Sequence, residues 1–114
     1  MEAINLVKLS GIVAREVKFK KTPSGICHSS FWLVHNSEQN RMVSSGETKK
    51  NLSQQVKCSM QVIAIGDNFK DITKQITPGN MITVTGYLNE RQTKNDSYLV
   101  LHASELELLD LIED

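Results

Sequence analysis

Cysteine is scarce in this 114-residue chain, limited to Cys27 and Cys58. The two stand in no CxxC pair and show no Cys/His metal spacing, which sets aside a disulfide scaffold and a zinc centre. Both fall in expected strands and read as small buried hydrophobes in a reducing compartment. Long apolar runs are also missing: none approaches the roughly 20 residues that cross a membrane. The chain opens Met1-Glu2-Ala3 without a charged-then-apolar leader, so we expect a cytoplasmic protein with no membrane partner. Catalytic signatures are absent in turn, with no GxxxxGK[ST] phosphate loop, no GxSxG elbow and no HExxH. We expect no enzyme, no metal and no cofactor. Aromatics are few, three Phe, two Tyr and one Trp. That is too few for a cold-shock-like RNA binder, which stacks several bases on one ring-dense strand.

Net charge is zero as well, but the charge is segregated along the chain. Residues 104–114 hold Glu105, Glu107, Asp110, Glu113 and Asp114 and no basic residue; everything before them carries all 13 cations against 8 of the 13 acids. Between Arg15 and Lys57 the surplus sharpens, because Arg15, Lys18, Lys20, Lys21, Arg41, Lys49, Lys50 and Lys57 face only three glutamates. A basic middle with an acidic end points to a polyanion partner. The plainer reading is a solvated surface with a solubilising terminus.

Periodicity yields five strands and one short helix. Asn5 to Lys18 alternates as a long first strand, with Gly11 near its middle marking a bulge or bend. The second runs from about Ile26 to His35, and the third from Gln54 to Ile65. The polar residues 36–53 between them read as a long mobile loop. Asp67 to Ile76 places Phe69, Ile72 and Ile76 at helical spacing, ended by Thr77-Pro78-Gly79. Met81 to Glu90 and Tyr98 to Leu109 complete the set around a turn at Lys94–Ser97. With no repeat and no linker, residues 1–110 form one domain and 111–114 an acidic end. Three strands, a helix, then two strands is the order of an all-β, five-stranded OB-fold barrel with one short helix between strands 3 and 4. That fold grips oligonucleotides with the loops between strands 1 and 2 and between strands 4 and 5. Here those loops, 18–25 and 90–97, carry Lys18, Lys20, Lys21, Arg91 and Lys94.

The stretch from Thr22 to His35 carries the most information. Thr22-Pro23-Ser24-Gly25 has the proline and glycine placement of a type I turn. After it, Phe31 and Leu33 share the core face of a strand while Trp32 and Val34 share the other. A basic segment feeding a strand with an exposed ring suits single-stranded nucleic acid. Trp32 serves equally as a base-stacking ring or within a dimer interface. Phe69 reads as a barrel plug, Tyr87 as an exposed ring, and His28, His35 and His102 as structural histidines.

LSGIVAREV, TPSGICHSSFWLVHNSEQ, CSMQVIAIG, ITKQITPGNMITVTGYL and LVLHASELELLD together resemble the primosomal replication protein N (PriB) family. The resemblance spans nearly the whole chain, breaking around residues 39–53. It implies an OB-fold homodimer that binds single-stranded DNA in the replication-restart primosome. The implied protein partners are a PriA-like restart helicase and a DnaT-like primosome loading protein. It also implies DNA contacts at Arg15, Lys20 and Lys94, where family members place basic residues. Lys57 stands where enterobacterial members carry a stacking tryptophan, and Asn36, Gln92 and Leu99 stand where they carry further cations. From these departures we expect weaker binding, or a site relocated to Trp32, Lys49 and Lys50. Two other functions stay open: a primosome adaptor whose DNA contacts have decayed, and a general tetrameric single-stranded DNA-binding protein. The chain shows no Gly/Gln-rich tail of the latter kind.

Overall fold

The structure, a computed structural model, describes residues 2–109. The acidic end expected at 111–114, with Asp110, lies outside the described residues. The strands are β1 (Val7–Val13), β2 (Lys18–Lys21), β3 (Cys27–Ser45), β4 (Thr48–Ile65), β5 (Met81–Gln92) and β6 (Ser97–Leu109). A 3₁₀ turn (Asp67–Phe69) leads into the short helix α1 (Lys70–Gln75) between β4 and β5. The sheet order is β1-β5-β6-β4-β3-β2, and β1 pairs again with β3, closing a ring of five strands. This is the OB-fold, with β4 and β6 as its parallel pair.

Alternation packs the interior. Phe31 and Leu33 of β3, Val62 of β4, Ile82 and Val84 of β5 and Leu101 of β6 point inward with Val13 and Ile76. Phe69 is buried ahead of the six-residue helix α1, whose Thr73 packs against Ser29 of β3. The two buried hydroxyls there satisfy each other: Ser29 donates to Thr73 Oγ1 (3.2 Å), which donates to the Phe69 carbonyl (2.7 Å). The turn after α1 is tied to β1, with Gly79 N–H on the Val13 carbonyl (2.8 Å) and Val13 N–H on that of Asn80 (2.9 Å).

Several expectations need correction. The long first strand is two: β1 ends at Val13, and Lys18–Lys21 is a separate edge strand paired with Cys27–Ser30 of β3, not part of a loop. Lys-Phe-Lys-Lys has no apolar alternation to announce it, so only backbone pairing reveals it. Residues 36–53, expected as a loop, are paired throughout: β3 and β4 run in register from His28↔Ile65 to Ser45↔Thr48. Gly46, at φ 62°, starts their two-residue turn, as such hairpins prefer. Both faces of this ribbon are polar, so its sequence carries no period-2 signal. Cys58 is exposed, whereas Cys27 is buried as expected; both are free. Gly11 makes no bulge, because its ladder with β5 is regular; a Cβ there would strike the Val34 backbone where β1 crosses β3. The register irregularity falls instead at Thr85/Gly86.

At Gly86 a Cβ would collide with the His102 carbonyl of β6. Gly86→Ala therefore forces two ladder strands apart. We expect urea unfolding to show a loss of about 1–3 kcal/mol, the usual cost of overpacking; an unchanged midpoint would contradict the close approach.

Candidate nucleic-acid interface

Directly opposed residues on paired strands share a face, and the register therefore defines what the barrel's outside presents. Lys18 lies opposite Ser30, Ser30 opposite Ile63, Ile63 beside His102, and His102 opposite Tyr87. Parallel to this row, Trp32, Gln61, Val100 and Asn89 form a second, and Lys20, His28 and Ile65 a third. At about 4.8 Å per strand the first row spans roughly 20 Å. Two clefts lie on this face. One, about 660 Å³, has Trp32, Met60, Tyr98 and Leu99 in its walls; the other, about 360 Å³, has Lys18, Phe19, Lys20, His28 and Arg91. Gln61 lines both and joins them.

Rings and cations interleave here. Phe19, Trp32, Tyr87 and Tyr98 keep between 37 and 50% of their surface exposed, enough ring face to meet a base. The Arg15 guanidinium sits 5.7 Å from the Trp32 ring centroid, a cation–π pair that holds the ring's edge next to a phosphate donor. Tyr87 and His102 stack at 5.2 Å and 3°. A third cleft, about 510 Å³, lies across the barrel and includes Glu105 and Glu107, which suits no phosphate backbone. Among the described residues no three His, Cys, Asp or Glu side chains converge as a metal set.

Comparison with known proteins gives the family and agrees with the fold. Residues 5–105 fit the model of a family described as another single-strand binding protein family. Replication restart protein PriB of Haemophilus ducreyi is 39% identical over 107 residues, spanning 93% of this chain and 80% of that one. The Klebsiella pneumoniae PriB is 38% identical over 107 residues, covering 93% and 95%. This chain belongs to the PriB family of single-strand binding proteins. The fold agrees: PriB from Ralstonia solanacearum superposes with a TM-score of 0.68 at 23% identity, covering 94% of this chain and all of that one. A Plasmodium falciparum SSB in complex with ssDNA gives 0.69 at 21% identity, covering 96% and 98%.

Within this PriB-family barrel the expected site residues divide into groups. Lys18, Lys20, Trp32 and Arg91 line the two clefts, and Arg15 shares a notch of about 50 Å³ with Glu16, Lys18, Trp32 and Gln61. Lys21 turns to the other side of β2, with Cys27. Lys57 lies opposite Asn36 on the Trp32 face, four residues along β4 from Gln61. Arg91 belongs to strand β5, and Lys94 to the turn that Thr93 N–H closes on the Asp96 carbonyl at 2.7 Å. Lys49 and Lys50 sit near the ribbon tip, opposite Ser44 and Val43. Twelve residues of strand separate Lys49 from Gln61, about 40 Å, so these two lysines do not join Trp32. Sequence reasoning missed Tyr98, His28 and His102 as members of this face, and Phe19 at its β2 edge. Extending β6 parity from Val100 back to Tyr98 is the signal that finds Tyr98.

His102 is the one group here with a clear shift. Partial burial, then the Arg91 charge, then His28, together lower its pKa below the ordinary 6.5. The unfolded chain therefore binds more protons than the native one in this range. That share of stability is complete above pH 6.5 and is lost as pH falls through the lowered native value. We expect His102→Gln to lose less melting temperature than the parent between about pH 7.5 and pH 5. Parallel losses in thermal scans would contradict it.

Proposed function

We propose that this protein is a non-catalytic, cytoplasmic single-stranded DNA-binding accessory of the replication-restart primosome. It acts as a homodimer and links DNA to a PriA-like restart helicase and a DnaT-like loading protein. The observation that carries this reading is the joint placement of three exposed rings, Trp32, Tyr87 and Tyr98, with Arg15, Lys18, Lys20 and Arg91 on one outer face, with Phe19 at its β2 edge, in a PriB-family chain. The cations neutralise phosphates, the rings stack bases, and sequence scarcely matters, because every base has a π-face. Lys57 extends the same face along β4, and Lys94 extends it at the β5–β6 turn. Lys49 and Lys50 serve as an outlying contact that a long strand reaches along the ribbon. The protein-facing side of the reading comes from the named relatives, which are replication restart proteins.

One observation favours a second reading, an adaptor with weak DNA binding: Lys57 occupies the place where enterobacterial members of the family stack a tryptophan. Fluorescence polarisation of labelled oligo-dT at two salt concentrations separates the two. Saturable binding that weakens steeply with salt supports the DNA reading. No binding at high micromolar protein supports the adaptor. Lys20→Ala should flatten the slope of log affinity against log salt by about 0.7. Trp32→Ala should cost about 1–3 kcal/mol, the worth of one stacked base. Wild-type affinity in both variants would remove this face from the site.

A further inference from the structure

Composition gives α1 no reason to attract a polyanion. Its segment pairs Asp67 and Asp71 with Lys70 and Lys74, summing to zero. The geometry distributes these charges unequally. Lys70 and Lys74, one helical turn apart, line a cleft of about 260 Å³ together with Phe19, Lys20, Lys21 and Cys27, and neither aspartate is part of that lining. Four lysines, Lys20 shared with the groove, and the exposed Phe19 ring line this cleft, with no acidic residue among them.

The cleft also connects to the groove already described. β2 is the edge of its sheet, and its side chains alternate across that edge. Lys18 and Lys20 stand with Ser30 and His28 on the groove side; Phe19 and Lys21 stand with Ser29 and Cys27 on the side where α1 packs. Phe19 and Lys20 line both clefts. A chain leaving the groove at Lys18 meets the Phe19 ring at the edge and then Lys21, Lys70 and Lys74 beyond it.

We propose that single-stranded DNA, held in the groove as argued above, wraps over the β2 edge and places backbone phosphates on Lys21, Lys70 and Lys74. This second arm rests on the groove reading and deepens it: α1 both packs against β3 and forms part of the DNA path. Spacing suits a polyanion, since the lysines flank a ring and repeat along the cleft. Charge complementarity selects nucleic acid over an apolar peptide, which would leave four ammonium groups without counter-charge.

The test compares oligo-dT strands of about 8 and about 30 nucleotides, chosen against the roughly 4–16 that an OB-fold takes. The full chain and its Lys70→Ala/Lys74→Ala variant are titrated over a salt series. Alanine keeps helix propensity, and Lys74→Ala alone, at an exposed position, serves if the double variant unfolds. The expected result is a salt slope for the long strand flattened by about 1.4, two contacts' worth, with the short strand's slope unchanged. A long-strand slope equal to wild type overturns the second arm while leaving the groove intact. Failure of the wild type to bind either strand overturns the groove reading and this one with it.

Discussion

Three residue pairs join the two halves of this barrel along one seam, as Ile12–Val34 and Val13–Leu33 of β1 and β3 do along the other. Gln61, Val62 and Ile63 of β4 lie in parallel register with Val100, Leu101 and His102 of β6. The middle pair is buried in the core and faces Phe31. The outer pairs lie on the opposite side, in line with Trp32 and Ser30. Sealing the interior and assembling the outer face are therefore one event, because period 2 sends alternate residues each way. Slip the register by one residue and Val62 and Leu101 would be exposed while Gln61 and His102 entered the core. The burial of the core thereby fixes which side chains the outer face presents. Gly11 and Gly86 serve the same closure, by allowing backbones to approach where a Cβ would collide.

The electrostatics of that face follow from what surrounds it. Partial burial first, then Arg91 and His28, disfavour a charge on His102, as expected where like charges are grouped on adjoining strands. Two of the rings are part-exposed and supported by a neighbour: Trp32 by Arg15, Tyr87 by His102. A supported ring loses little freedom on stacking, which keeps the entropic cost of binding low.

How much of this could be read from residues alone depends on what leaves a signature. Phe31, Leu33, Ile82 and Val84 alternate with polar neighbours, and their strands were legible, as was a short helix between the third and fourth expected strands. The OB order and the opposite placement of Trp32 followed from those. Lys18–Lys21 and residues 36–53 were not legible, because their strands bury no apolar face and are held by backbone ladders that no side-chain pattern encodes. The same blindness hid the β2 edge and with it the cleft that β2 shares with α1. Lys70 and Lys74 were invisible for another reason: next to Asp67 and Asp71 they look like an ordinary neutral helix, and only their orientation distinguishes them. Tyr98 was within reach of parity alone.

The order of the strands along the chain also governs how the molecule comes into being. β3 and β4 are neighbours in sequence and can zip together as soon as both leave the ribosome, since hairpins form in microseconds. β6 arrives last, yet its place is beside β4, across the whole helix and β5. Until it emerges, Val62, Ile63 and Ala64 present an apolar strand with an open row of amides, the kind of edge that invites pairing with another chain. A nascent molecule spends that interval sticky. The polar ribbon beyond Asn36 then has a use unconnected with any ligand: it keeps the early hairpin soluble while the strand that completes the ring is still being made.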